Sequence, residues 1–450
     1  MIPFEVDPLF LWFHNRSMQI EAKKIWVYFF SLCCLVLAGL SLYLTVKPTP
    51  EAIEIAKAEK IQEIRAKLSE QIGPYVLHNQ WVPEINWSSD QGTEKVLVHY
   101  TLDDTLQEAS ERLLKSYKPD YGAIVMMDAS TGKILALTSY QKNDSDAPNL
   151  ALRGTFPAAS LFKIVTATAA LDRHNVTPDT IVMFNGGNHT LYRKNVMSTK
   201  VNKWTREMTL REAFARSINT VFGRLTLEKL VPQDLEDYAI RFGFNQNIDS
   251  DLPFDSGFTE IPKEKGFRLT ELASGFNKVT RMSPIQGAMI ASAIAEDGVM
   301  HVPYVVDKVE THDGRILFQA EPVTAAVTMS PEGAEKLKDL MEATITQGTS
   351  RKSFRSLVKD RKFRELVIGG KTGSLTGDNP RGKVDWFIGY AINDDQKIAV
   401  AALTVNVRYW TVKSSYLAQS LFRTHFKEEF SKENEKFFSA ATERDPATNR

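Results

Sequence analysis

Ile25 to Val46 reads "IWVYFFSLCCLVLAGLSLYLTV", 22 residues without one charged side chain. A helix that is apolar all round has no face to offer water, so it belongs in a core or in a bilayer. About 20 such residues cross a membrane. A cleaved signal peptide needs a shorter apolar centre and a small-residue exit, which "LTVKPTP" does not supply. The segment therefore reads as one retained transmembrane helix, with Trp26, Tyr28 and Tyr43 near its ends suited to the interfaces. Arg16, Lys23 and Lys24 precede it and Lys47, Lys57, Lys60 and Arg65 come after it. That balance leaves orientation undecided by charge.

The two cysteines, Cys33 and Cys34, lie inside this span, so the rest of the chain carries neither thiol nor disulfide. That suits an oxidising compartment entered without a disulfide framework. The 450 residues carry 55 cationic and 55 acidic side chains and a formal net charge of +0, which implies no nucleic-acid partner. No zinc-type Cys/His spacing, Walker loop or Rossmann glycine signature is present, so no cofactor and no metal is expected.

After the span, "KPTPEAIEIAKAEKIQEIRAKLSEQI" predicts a charged helix whose Ile53, Ile55, Ile61, Ile64 and Leu68 form a partial stripe packed on the next part of the chain. Residues 73–97 read as irregular. A short strand comes next, then a helix starting near Asp103 or Asp104. "GAIVMMDASTGKILALTSY" signals a hairpin. A mostly helical stretch runs from about 157 to 350, and strands return at "ELVIGGKTGS", "VDWFIGYAIN" and "KIAVAALTVNV". "SSYLAQSLFRTHF" closes the fold as a helix, and from about Lys427 a charged, flexible tail is expected. Strands early, helices in the middle and strands late suggest one α+β domain, its antiparallel sheet built from both ends of the chain.

"GTFPAASLFKIVTATAAL", Gly154 to Leu171, contains one charged side chain, Lys163. A lysine among apolar groups has its ammonium form disfavoured, which makes it a base for a neighbouring hydroxyl. Ser160 sits at i−3, one turn away on the same helical face. Pro157 suits the expected helix start, which would put Ser160 in the first turn, near the positive end of the dipole. S-x-x-K also occurs at Ser130/Lys133 in the hairpin turn and at Ser356/Lys359 in "RKSFRSLVKDRK", so the spacing alone is weak. The company decides. "SIN" stands at Ser217–Asn219 and "KTGS" at Lys371–Ser374, in the order S-x-x-K, S-x-N, K-T-G. Taken singly, "SIN" reads as a helix cap and "KTG" as a glycine turn. Together the three form the motif set of serine penicillin-binding proteins and β-lactamases.

Over roughly residues 98–425 the chain resembles the penicillin-binding protein transpeptidase family. The likeness extends to "YTLDDTLQEASE", "MSPIQGAMIASAIAEDGVM" and "DWFIGYA". It implies an antiparallel five-stranded sheet flanked by helices, with an all-helical subdomain. It implies that Ser160 attacks the carbonyl between the two terminal D-alanines of a peptidoglycan stem peptide. Lys163 would be the base, and Ser217 would relay a proton to the departing D-alanine. Asn219 would bind the substrate amide. Lys371, Thr372, Gly373 and Ser374 would hold the terminal carboxylate, and the backbone N–H groups of Ser160 and Ser374 would form the oxyanion hole. β-Lactams would trap Ser160. The expected layout is a cytoplasmic segment 1–24, the span 25–46, a stalk or short pedestal 47–97, the transpeptidase domain 98–425 and the tail 426–450. A substrate outside the cell orients the domain to the extracytoplasmic side of the inner membrane. The space before residue 98 is too short for a glycosyltransferase domain, so that activity falls to a separate partner. A D,D-carboxypeptidase, a β-lactamase and a β-lactam sensor are the alternatives within the same motif set. No E-x-x-x-N pair of the class A β-lactamase type lies between Ser217 and Lys371.

Overall fold

The computed structural model describes residues 30–37, 49–89, 92–144, 146–394 and 396–443. Residues up to Lys60 and residues from Ile61 onward form separate units. Most of the expected span 25–46 lies outside the described residues. Its described part, 30–37, is helical, and among the described residues no helix is long and apolar enough to cross a membrane.

The strands that frame the site are β1 (Glu84–Ser89), β2 (Gly92–Tyr100), β3 (Tyr121–Asp128), β4 (Ile134–Gln141), β5 (Val306–Thr311), β6 (Ile316–Gln319), β7 (Val367–Asp378), β8 (Arg381–Asn393) and β9 (Gln396–Asn406). The central sheet runs β7-β8-β9-β3-β4, antiparallel throughout. It is thus closed from both ends of the chain, as expected. Its middle strands are almost continuously apolar because both faces are covered. Ala399, Ala401 and Leu403 of β9 face one core, while Ile398, Val400 and Ala402 face the other. The period-2 alternation of a strand makes that division.

The helices of more than one turn are α1 (Pro50–Val76), α2 (Asp104–Tyr117), α3 (Lys163–Arg173), α4 (Leu210–Ala215), α5 (Asn219–Lys229), α6 (Pro232–Arg241), α7 (Phe267–Ala273), α8 (Pro284–Ala295), α9 (Pro331–Thr346), α10 (Arg351–Val358) and α11 (Ser414–Glu443). Asp103 caps α2 by accepting from Leu106 N, at the start the sequence indicates. On one face of the sheet, α2, α10 and α11 bring Leu106, Phe354 and Phe422 into a common core. On the other lies α8, whose twelve residues are all buried. Ser283 caps it and Pro284 fills its first turn, where a missing N–H costs nothing.

Four expectations are corrected. Residues 73–97 are not irregular: α1 runs to Val76, and β1 and β2 pair and join β5 and β6 in a second sheet, β1-β2-β5-β6. Val96 and Val98 are buried on its inner face. The stretch 157–350 and its subdomain are not all helical, because Ile181–Phe184 pairs with Arg206–Thr209. There Val182 and Phe184 turn inward and Ile181 and Met183 outward, a strand alternation too short to stand out in the sequence. Pro157 does not start a helix: Phe156–Pro157 pairs with Arg281–Met282, and Trp386 Nε1 donates to Pro157 O at 3.0 Å. Finally, α11 continues past Lys427 to Glu443. Phe430 stacks on Phe363 and Phe426, with centroids 5.8 and 6.3 Å apart, and carries the packed face beyond the expected boundary. α1 packs on the region C-terminal to it through Ile61, Ile64, Leu68, Ile72 and Val76, but Ile53 and Ile55 of the expected stripe are exposed.

Candidate active site

Ser160 lies on a 3-10 turn, Ala159–Phe162, and the α-helix begins only at Lys163. The turn is held against two neighbours. Ala159 adopts φ +50, a left-handed conformation that costs an L-residue about 1–2 kcal/mol. Opposite it, Gly275 has φ +64, and a Cβ there would stand 1.8 Å from Ala159 O. Only glycine permits that approach. On the other side runs β7, the sheet's edge strand. A Cβ on Gly373 would lie 3.2 Å from Ala158 O and from Leu161 Cγ. Gly373 is therefore not a turn glycine; it lets the "KTGS" strand lie against the serine turn.

The Lys163 ammonium group is fully buried. Nζ donates to Ser160 Oγ at 2.9 Å, to Asn219 Oδ1 at 2.7 Å and to Ser274 O at 2.5 Å. It also lies 5.6 Å from the centre of the Phe222 ring. Burial, with the charge of Lys371 nearby, holds its pKa well below the ordinary lysine range. The partner set explains what the neutral amine does. Two of its three partners are carbonyl oxygens, which only accept. A neutral amine gives them its two N–H groups, and its lone pair is left for the one partner with a proton to give, the Ser160 hydroxyl.

The "SIN" segment sits where α4 ends. Ser217 has φ +57, its N–H bonds to Phe214 O, and Ile218 N bonds to Ala213 O. Ile218 precedes α5 with no side-chain cap, so Ser217 is not the capping residue the motif alone allows. Its Oγ instead accepts from Lys371 Nζ at 3.0 Å, and the same Nζ donates to Thr372 O at 3.0 Å. Burial brings Lys371 down to about 7. Asn219 is fixed from its other end: Nδ2 donates to His189 O at 2.7 Å and its backbone N to Asn188 O at 2.9 Å. Its side-chain oxygen is thereby turned toward Lys163.

Hydrogen bonds thus tie Ser160 and Asn219 to Lys163 and, separately, Ser217 to Lys371, with the charge of Lys371 felt at Lys163; Thr372 and Gly373 lie on the same strand as Lys371. Ser374 is exposed on β7 opposite Asp385, two residues beyond Thr372. The other S-x-x-K pairs are not assembled. Ser130 donates to Glu296 at 3.1 Å and Lys133 pairs with Asp307 at 3.1 Å. Ser356 and Lys359 are exposed. Sequence reasoning missed Ser274 and His189, which act through backbone carbonyls that any residue has. It also missed Gly275 and Thr349, whose Oγ1 lies 2.6 Å from Thr372 Oγ1. Of these, only Gly275, in "ELASGF" after a predicted helical run, carried a turn signal.

The profile of the penicillin binding protein transpeptidase domain matches residues 122–427. The chain belongs to this family. Among its relatives, stage V sporulation protein D of Bacillus subtilis is 25% identical over 324 residues, 67% of this chain and 48% of that protein. Peptidoglycan D,D-transpeptidase PbpA of Mycolicibacterium smegmatis is 28% identical over 330 residues, 63% of this chain and 62% of that one. The chain thus spans about half to three fifths of the length of these two transpeptidase-family relatives. Two solved structures share the fold. The D,D-transpeptidase domain of a peptidoglycan glycosyltransferase from Eggerthella lenta has a TM-score of 0.62 at 23% identity, covering 78% of this chain and 97% of that one. Penicillin-binding protein A of Mycobacterium tuberculosis, as its imipenem acyl-enzyme complex, has a TM-score of 0.58 at 23% identity, covering 73% and 80%.

Proposed function

We propose that this chain is a membrane-anchored D,D-transpeptidase that cross-links peptidoglycan stem peptides through an acyl-enzyme on Ser160. The observation that carries the reading is the position of the buried Lys163 amine, 2.9 Å from Ser160 Oγ and with carbonyl oxygens as its two other partners.

Lys163 takes the Ser160 proton as Oγ adds to the carbonyl between the terminal D-alanines. The backbone N–H groups of Ser160 and Ser374 receive the oxyanion. Ser217, bonded to Lys371, passes a proton to the departing D-alanine amine. Asn219 orients the substrate amide, and Lys371, Thr372, Gly373 and Ser374 hold its terminal carboxylate. An amine from a second stem peptide then attacks the ester, the C–Oγ bond breaks and Ser160 regains its proton. β-Lactams take the first half of this path and remain on Ser160. Residues 25–46 anchor the enzyme in the inner membrane with the domain on the extracytoplasmic side, where its substrate lies. Glycan strands come from a separate glycosyltransferase.

The test is incubation of the full chain with stem-pentapeptide substrate. Cross-linked dimers that vanish in Ser160→Ala support the proposal. Release of D-alanine without dimers makes the enzyme a D,D-carboxypeptidase, and turnover of penicillin makes it a β-lactamase.

A further inference from the structure

Beside the "KTGS" strand lies a cavity of about 620 Å³, lined by Ile345, Thr349, Arg351, Lys352, Arg355 and Lys359 among others. No acidic residue lines it among the described residues, and none of its four cations forms an ion pair there. Asp360, the adjoining acid in sequence, is taken by Arg423 at 2.8 Å. The cations are placed against local preference. Arg351 and Arg355 are spaced i, i+4 on α10, and like charges at that spacing destabilise a helix by a few tenths of a kcal/mol. Arg351 and Lys352 also open α10, where the helix dipole disfavours positive charge. Four cations in a concavity thus have no ion-pair partner among the described residues.

The cavity is joined to the catalytic cleft. Thr349 lines it, and Thr349 Oγ1 lies 2.6 Å from Thr372 Oγ1. Thr349 N donates to Ala215 O at 3.0 Å, two residues before Ser217. On the acyl-transfer reading, Thr372 and Ser217 mark the side of Ser160 from which the terminal D-alanine leaves. The amine that resolves the acyl-enzyme must replace the departed amine, so it enters from that same side. Its C–N bond forms as C–Oγ breaks, and the ammonium proton returns to Ser160 Oγ.

We propose that this basic cavity is the acceptor subsite, and that it selects an amine-bearing stem peptide carrying free carboxylates remote from the reacting nitrogen. The inference rests on the Ser160 acyl-transfer reading and adds what the acceptor must look like. Arginine suits the task because its planar fork meets a carboxylate with two parallel hydrogen bonds.

The experiment gives the full chain a donor pentapeptide and two acceptors: stem-peptide monomers with free carboxylates, and the same monomers with their non-reacting carboxylates amidated. Dimer formation is counted per penicillin-titratable serine. The wild type is expected to prefer the carboxylate form by about tenfold in kcat/KM, a preference that falls with added salt. Arg351→Gln/Arg355→Gln/Lys359→Gln should bring the two acceptors close to parity, through KM. Arg351→Lys/Arg355→Lys, which keeps the charge, should retain most of the preference. An absent preference in the wild type, or one unchanged in the triple glutamine variant, overturns the proposal. So does loss of phosphatidylglycerol-vesicle binding in that variant with acceptor preference intact, which would assign the cations to a lipid surface. A wild type that penicillin does not label fails at the catalytic reading itself; one that is labelled yet shows no preference fails only here.

Discussion

Among the described residues, two cations outside the "KTGS" strand are fully buried, and they are put to opposite uses. Lys163 is surrounded by Ser160 Oγ, Asn219 Oδ1 and Ser274 O. Arg65, on α1, donates Nη2 to Glu321 O at 2.8 Å and lies 4.3 Å from the centre of the Tyr304 ring. The charge of Arg65 helps to hold buried Asp251 down, although burial still raises that carboxyl to about 6. Asp251 also accepts from Val305 N and Val306 N. A lysine can escape the cost of burial by giving up its proton; a guanidinium cannot, and needs a counter-charge and a ring face instead. Burial therefore lowers the pKa of Lys163, which fits it for the base role proposed above, and makes a lock of Arg65, which ties α1 to the segment carrying Tyr304 and β5.

This contrast can be broken from either side. The largest effect should come from Lys163→Arg. It keeps the charge and cannot act as a base, so the rate of penicillin labelling of Ser160 should fall at least a thousandfold, as for loss of a nucleophile's partner, with the thermal midpoint reduced far less than the rate. Gly275→Ala comes next: its methyl group would displace the Ala159 carbonyl and turn Ser160 away. Labelling should slow by roughly a hundredfold, since misplacement of about 1 Å has that scale. Arg65→Met should leave the labelling chemistry in place and lower stability instead, by about 3 kcal/mol, because Asp251 loses the charge that offsets its burial. Denaturant unfolding measures this.

The pH profile sharpens the same comparison. Acylation needs neutral Lys163, so its rate falls on the acid side as that amine is protonated. Lys371 near 7 must stay charged to hold a carboxylate, so the rate also falls as pH rises through about 7. Lys371→Arg should remove the alkaline fall. Asp251 gives the smallest effect, and it appears in stability. Its folded pKa of about 6 lies above the ordinary 3.8, so the folded state binds more protons between those values. Its contribution is then complete below about pH 4 and is lost as pH rises through about 6. Asp251→Asn should flatten that slope.

The two regions also differ in how visible they are in the sequence. The proposed catalytic groups are legible because Ser160/Lys163, Ser217/Asn219 and Lys371–Ser374 keep short, fixed spacings and interrupt apolar runs. The five strands are legible because burial on both faces leaves near-continuous runs such as "KIAVAALTVNV". Arg65 is invisible: in "AEKIQEIRAKL" it looks like one more solvated charge on a helix, and what buries it is Tyr304, 239 residues later in the same sequence. The 3-10 turn at Ser160 is hidden for a similar reason. Its shape comes from Gly275 and from the pairing of Pro157 with Arg281, both distant in sequence. Local patterns report the groups that do chemistry; long-range packing decides the turn on which they stand.

Mass spectrometry of the full chain after exposure to penicillin G tests the central claim most directly. The account predicts a mass increase equal to one intact penicillin, carried by the peptide containing Ser160 and absent from Ser160→Ala. A wild-type chain without the adduct, or an adduct that persists in Ser160→Ala, would contradict it.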